Sequence, residues 1–328
     1  MRPMSRNRLV GRAIILVVTM AVLLRCGPKG DMEQFALPMG YVANVQFSPF
    51  YVAQERGYLR DAGFDVTFDY RWETDGIQLV AAGEIPFSVA SGDQVIQARS
   101  MGLPVIAIAG WYQTFPVGVM ALQDVSLERP QDLRGLRIGI PETFGASYIG
   151  LRALLDVGGL TEADIDLQAI GYTQLATLIA GTVDAVVVYA NNEPVVLAQQ
   201  GTPFNVLYTA DYVDLVSAVI VSSESYVASH PEAAKRFVGA FLKGLDDVLR
   251  DRDAAFRICE AVVEGLSDNA VVQREVLNAS IELWKAPQLG LMSPEAWEKA
   301  QEVMLSAGMI ETASPVEQLY TNAFVQND

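Results

Sequence analysis

The chain holds a single histidine, His230, which stands beside the helix-start residue Ser229 with no companion acid or nucleophile motif nearby. General acid–base catalysis needs a titrating group within reach of a second functional group, so His230 is expected to be a helix-start residue and enzyme catalysis is poorly supported. There is also no Cys/His metal cluster, no P-loop and no Gly-x-Ser-x-Gly elbow. What the chain does supply is rings and amides, gathered in a few short stretches. Tyr41, Asn44, Gln46, Phe47 and Tyr51 come first, followed by Trp72, by Ser91 and Asp93, and by Trp111 and Tyr112. Phe144, Ser147 and Tyr148, then Tyr189, Asn191, Asn192 and Glu193, complete the set. Rings grip the faces of a flat molecule, and amides satisfy the donors and acceptors on its edges. Each aromatic also has core packing as an equal alternative, and Phe50 and Tyr58, inside helical turns, are assigned to the core. An anion would be met by Arg, Lys or helix starts. These stretches hold only Arg71, with Arg152 a turn into a helix, so the ligand expected is a neutral heterocycle.

The elements that must position these residues follow a strand, loop, helix rhythm. A short apolar run, Phe35 to Leu37, leads into the loop with Tyr41, and Ser48-Pro49 predicts a helix start that Gly57 and Gly63 can stop. Strands are predicted at 64–70, 85–90, 105–109, 117–122, 136–140, 183–189 and 217–222, with helices at 76–82, from about 92 to 101, at 149–157 and at 173–180. Most candidates fall in loops after strand ends, the usual place for a ligand in an α/β sheet. The recurrence predicts mostly parallel sheets with helices on both faces. Leu79 to Gly83 and Leu178 to Gly181 precede similar strands, each ending in an acidic turn, which suggests two related lobes with the Asp93 and Glu193 turns facing. Beyond 222 the chain turns helical, with a capping box from Ser229 to Glu232 and then Phe237, Phe241, Leu245 and Val248 at helical spacing. Further helices are expected at 254–264, at 269–283 and from Ser293-Pro294 to about 307.

Charge narrows the partners. The 328 residues carry 23 basic and 39 acidic side chains, and the first 25 contain five Arg and no acid. Nucleic acid is excluded as a partner, because binding its backbone needs clustered Lys or Arg. Arg2, Arg6, Arg8 and Arg12, followed by the apolar run Ala13 to Leu24, read as an export signal over residues 1–26. Leu23-Leu24-Arg25-Cys26 resembles a bacterial lipobox, which implies lipidation at Cys26 and a location on the extracytoplasmic face of the cell membrane. Arg25 departs from the small residue that such a motif carries before its cysteine. Residues 27–34 would form a tether. The other cysteine, Cys259, sits in a helical pattern and is expected in the core.

Tyr41 and Asn44, then Phe50 to Ala53, then Gly57, Tyr58 and Gly63, resemble the opening motif of solute-binding proteins of ABC importers related to the thiamine-pyrimidine, sulfonate and riboflavin binders. The resemblance implies an α/β, two-lobed periplasmic-binding fold of type II, each lobe a mainly parallel sheet flanked by helices, with two hinge crossovers. Lobe 1 would be residues 35–121 plus 218–328, lobe 2 residues 122–217, and the crossings Gly118 to Leu122 and Ala218 to Val221. In the thiamine-pyrimidine binders an acidic residue of a Glu-Pro turn pairs with ring nitrogen or amino donors, and Asn192-Glu193-Pro194 matches that turn. A related enzyme, the thiamine-pyrimidine synthase, carries a histidine where this chain has Phe47. The expectation is therefore a monomeric binding lipoprotein, not an enzyme, with no cofactor and no metal. It would hold riboflavin as transported ligand and pass it to an ABC permease and its ATPase. The alternatives are an aminopyrimidine thiamine precursor as ligand, a synthase-like enzyme, or an extracellular sensory domain.

Overall fold

The computed structural model describes residues 32–325. The export signal, Cys26 and tether residues 27–31 lie outside the described residues, while residues 33 and 34 already belong to the first strand. The chain opens with β1 (Glu33–Gly40), α1 (Ser48–Glu55), α2 (Tyr58–Asp61), β2 (Phe64–Trp72), α3 (Glu73–Ala81), β3 (Ser88–Ser91), α4 (Gly92–Ser100) and β4 (Val105–Gly110). The middle of the chain contributes β5 (Val117–Leu122), β6 (Arg137–Ile140), α5 (Gly145–Val157), β7 (Asp166–Ala169), α6 (Gln174–Ile179), β8 (Ala185–Tyr189), α7 (Glu193–Gln199) and β9 (Phe204–Tyr208). After β10 (Ala218–Ser223) come α8 (Glu224–Ser229), α9 (Pro231–Arg250), α10 (Arg252–Val262), α11 (Ala270–Trp284) and α12 (Pro294–Ser306).

The strands form a pair β1–β2, a sheet in the order β3–β10–β4, and a sheet in the order β7–β6–β8–β5–β9. The chain crosses between the last two sheets twice, from β4 to β5 and from β9 to β10. In each of these sheets one strand runs against all the others. β10 is antiparallel to both β3 and β4, with Ile220 opposite Val89 and Ala109. β5 is antiparallel to both β8 and β9, while β6 is parallel to β7 and β8. The reversed strands are the two that follow a crossing, because a chain arriving from the other sheet enters from the opposite end. The wholly buried run Ala185 to Val188 of β8 is what a strand covered on both faces requires.

The long helix α9 is the buttress. Phe237, Phe241, Leu245 and Val248 are all buried on one face, and Phe241 meets Phe50 of α1 with ring centroids 4.7 Å apart. Gly244 permits that approach, since a Cβ there would lie 2.2 Å from the Pro49 carbonyl oxygen. The predicted capping box is not formed. His230 is the N-cap of α9, and Ser229 instead donates to the Ser225 carbonyl at 2.7 Å, closing α8. Ser48 is likewise the first residue of α1 and not its cap, because a 3₁₀ turn, Val45–Phe47, leads directly into the helix. The strand expected from residue 85 begins at Ser88, after Gly83 at φ +73° and a turn containing Pro86. β7 and β9 have no counterpart among the predicted strands, being short edge strands that are largely half-exposed.

Candidate functional site

A cleft of about 460 Å³ opens between the β3–β10–β4 sheet and the five-stranded sheet. Both crossings contribute to it: Trp111, Tyr112 and Pro116 from the first, and Ser217 and Ala218 from the second. The Trp111 backbone N–H donates to the Ala218 carbonyl at 2.8 Å, so the two crossing segments are tied together beneath the ligand space. Trp111 is almost fully buried and packs on Phe47 and Tyr112, at centroid separations of 5.5 and 5.1 Å. These rings make an apolar floor.

Above the floor, one wall carries Tyr41, Gln46, Trp72 and Ser91, and the opposite wall carries Phe144, Ser147, Tyr189, Asn192 and Glu193. Trp72 and Phe144 are 53% and 51% exposed, so their faces are available to a ligand. The walls also touch. Gln46 Nε2 donates to Asn192 Oδ1 at 3.2 Å, and the Tyr41 and Tyr172 rings meet edge to face at 5.7 Å.

Five expected residues do not line the cleft. Asn44 caps the 3₁₀ turn, its Oδ1 accepting from the Gln46 N–H at 2.8 Å. Tyr51 is buried one turn behind Phe47, its hydroxyl 2.9 Å from that of Tyr70. Asp93 is buried and accepts from Gln94 Nε2 at 2.9 Å. Tyr148 donates to Glu162 at 2.7 Å and accepts from Arg152. Asn191, 0% exposed, donates from Nδ2 to the Ser280 hydroxyl at 2.8 Å and to the Tyr112 hydroxyl at 3.1 Å. It therefore joins the loop after β8 to α11 and to the cleft floor.

Glu73, Gln94, Glu142, Tyr172 and Gln174 also line the cleft; Glu73 and Glu142 share the strand-end stretches of Trp72 and Phe144 but are not among the expected residues. Glu73 is the most consequential. Its Oε2 accepts from the Ser91 N–H at 3.0 Å and from the Ser91 hydroxyl at 2.5 Å. Gly40, at φ +81°, lies so close that a Cβ on it would be 2.7 Å from Glu73 Cγ. Burial, with the Asp93 charge nearby, pushes the Glu73 carboxyl up to about 7. Burial also raises Glu193, although the Tyr189 N–H donates to its Oε2 at 3.1 Å. The phenols of Tyr112 and Tyr172 are both pushed up to about 12 by burial, so they remain protonated donors at neutral pH.

No Lys, Arg or His is among the cleft-lining residues. Arg71 is paired with Asp69, and Arg152 with Tyr148 and Glu162. Four helices, α3, α4, α5 and α7, begin at the cleft with no side chain bonded as a cap. The first N–H of α4, at Gly92, is taken by the Ser217 carbonyl at 2.9 Å, whereas the starts of α3 and α5 suit carbonyl or hydroxyl acceptors on a ligand. His230 is stacked on Tyr226 at 4.9 Å and is not among the cleft-lining residues. The arrangement offers rings to a molecule's faces and amides, hydroxyls and carboxylates to its edges.

Comparison with known proteins agrees with this architecture. The riboflavin-binding protein RibY of Chloroflexus aurantiacus is 39% identical over 303 residues, covering 90% of this chain and 86% of that protein. The formylaminopyrimidine-binding protein of Halalkalibacterium halodurans is 29% identical over 276 residues, covering 82% of this chain and 83% of its own. Among solved structures, the periplasmic aliphatic sulphonate binding protein SsuA of Escherichia coli superposes with a TM-score of 0.71 at 13% identity, over 86% of this chain and 91% of that one. At that identity the likeness establishes the fold, which is the two-lobed periplasmic-binding type. The model of the NMT1/THI5 like family matches residues 44–255, about two thirds of the sequence, and the chain belongs to that family.

Proposed function

We propose that the protein captures riboflavin in the cleft and delivers it to the permease and ATPase of an ABC importer. It would do so as a monomer held at the extracytoplasmic face of the membrane through a lipid on Cys26. The observation that carries this reading is a cleft floored and walled by rings, edged by amides and carboxylates, and lined by no cation. An isoalloxazine matches it: its broad face suits Trp72, Phe144 and the floor rings, and its pyrimidine edge and ribityl hydroxyls suit the amides, carboxylates and helix-start N–H groups. The 39% identical riboflavin-binding relative supports the same ligand. Lobe 1 (35 to about 116, and 218–328) and lobe 2 (about 117–217) would close on the ligand by bending at the two crossings, since only contacts with both lobes favour the closed form. Residues 117–121, expected in lobe 1, belong with lobe 2 because β5 lies between β8 and β9. In this reading the protein is a binder rather than an enzyme, which is supported by the two binding proteins among its relatives and by Phe47 at the position where the resemblance implies a synthase histidine.

An aminopyrimidine thiamine precursor is the second reading. It is favoured by Glu193 in the Asn192-Glu193-Pro194 turn, an acceptor suited to amino donors, and by Glu73 as a second acceptor. The discriminating experiment is titration with riboflavin, following quenching of flavin emission and of Trp emission. Riboflavin should quench both at micromolar protein. Absence of quenching, with a clear Trp response to an aminopyrimidine, would transfer the assignment to the second reading.

A further inference from the structure

We propose that the cleft accepts its vitamin only in the form without phosphate, so that any phosphorylated form must lose its phosphomonoester by hydrolysis before capture. This rests on the riboflavin reading and adds which form of the compound is bound. Three carboxylates, Glu73, Glu142 and Glu193, line the cleft, and no cationic side chain does. Two of the three cannot turn aside freely. Glu73 is pinned by the Ser91 N–H and hydroxyl and crowded by Gly40, and Glu193 accepts from the Tyr189 N–H.

The helix starts do not offset this charge. Helix N-termini attract anions, but α3, α4 and α7 each carry an acid in the first turn, namely Glu73, Asp93 and Glu193. Only α5 has none, and Glu142 stands three residues before its start. The arginines that flank the cleft loops in sequence are already paired, Arg71 with Asp69 and Arg152 with Glu162. A hydroxyl at the end of the ligand can donate to one of these carboxylates, whereas a phosphomonoester in its place offers only acceptors and up to two negative charges. For a phosphorylated form the step that must come first is therefore hydrolysis. Water adds at phosphorus, the ester P–O bond breaks, the alcohol oxygen takes a proton, and inorganic phosphate departs.

The test is parallel titration of the full protein with riboflavin and with riboflavin 5′-phosphate, at low salt and about pH 8. The ester should bind about 100-fold more weakly or worse, given like charges at short range in a partly desolvated site. The combined variant E73Q/E142Q/E193Q should narrow that gap. If the variant does not fold, the wild type supplies the check: raising salt from about 0.05 to about 0.5 M should narrow the gap by screening. Equal affinity for the two forms overturns the inference while leaving the riboflavin reading intact. Failure of both compounds to bind overturns the reading itself.

Discussion

Replacing Glu73 with Gln in the ligand-free protein should stabilise it at alkaline pH and have almost no effect in mild acid. Burial, the Asp93 charge and the Ser91 hydrogen bonds together leave the Glu73 carboxyl at about 7, against an ordinary 4.5. Between those values the folded chain holds a proton that the unfolded chain releases, so stability falls as pH rises through this window. The favourable contribution is complete below about 4.5 and lost once pH passes about 7. Above that, the ionised carboxylate costs about 3 kcal/mol, at about 1.36 kcal/mol for each pH unit between the two values. A Gln carbonyl can still accept from Ser91, so most of the Ser91 anchoring survives. Urea unfolding of wild type and E73Q from about pH 5 to about pH 8 should show the variant gaining roughly 2–3 kcal/mol across that range. A difference that stays flat with pH, or a wild type that is the more stable at pH 8, refutes the account of Glu73 as a buried, charge-strained group.

Trp72→Ala and Phe144→Ala should each weaken riboflavin binding roughly tenfold, as loss of a stacking face on a half-exposed ring. Their unfolding midpoints should stay within about 0.5 kcal/mol of wild type, and a large stability loss without an affinity loss would place these rings in the core instead. Asn191→Ala should destabilise by about 1–3 kcal/mol in urea unfolding, because the Tyr112 and Ser280 hydroxyls each lose a donor, although Ser280 keeps its own bond to the Val276 carbonyl. An unchanged midpoint there would remove Asn191 as the link between the β8 loop and the cleft floor.

The floor and both walls are legible in the sequence wherever a ring follows a strand end. Trp72, Trp111, Phe144 and Tyr189 all fall at such places, and the alternation of strand and loop is enough to locate them. It does not resolve phase. Asn191 and Asn192 are neighbours of one type, yet only Asn192 lines the cleft while Asn191 is buried against α11. Phe47 and Tyr51 differ by one helical turn, and that turn takes Tyr51 behind the wall. Glu73 is hidden because its meaning depends on Ser91, eighteen positions away, and on a glycine in the left-handed region at position 40. Tyr172 is hidden along with β7, whose polar–apolar alternation spans only four residues of a half-exposed edge strand. The strands after each crossing, β5 and β10, are the two that run against the rest of their sheets, and local pattern carries no record of the side from which the chain arrives.

The position of β10 sets the order in which the molecule can assemble. All strands of the five-stranded sheet lie in one uninterrupted stretch, from β5 to β9. That sheet can finish as soon as its own residues leave the ribosome. β3 and β4 have to wait, because the strand that separates and bonds both of them is made roughly a hundred residues after β4. Until then two apolar ribbons stand with bare edges, open to pairing with another chain. A nascent protein stalled before Ala218 should therefore be far more prone to aggregation than the full chain, in which β10 fills the gap and α9 covers the apolar face.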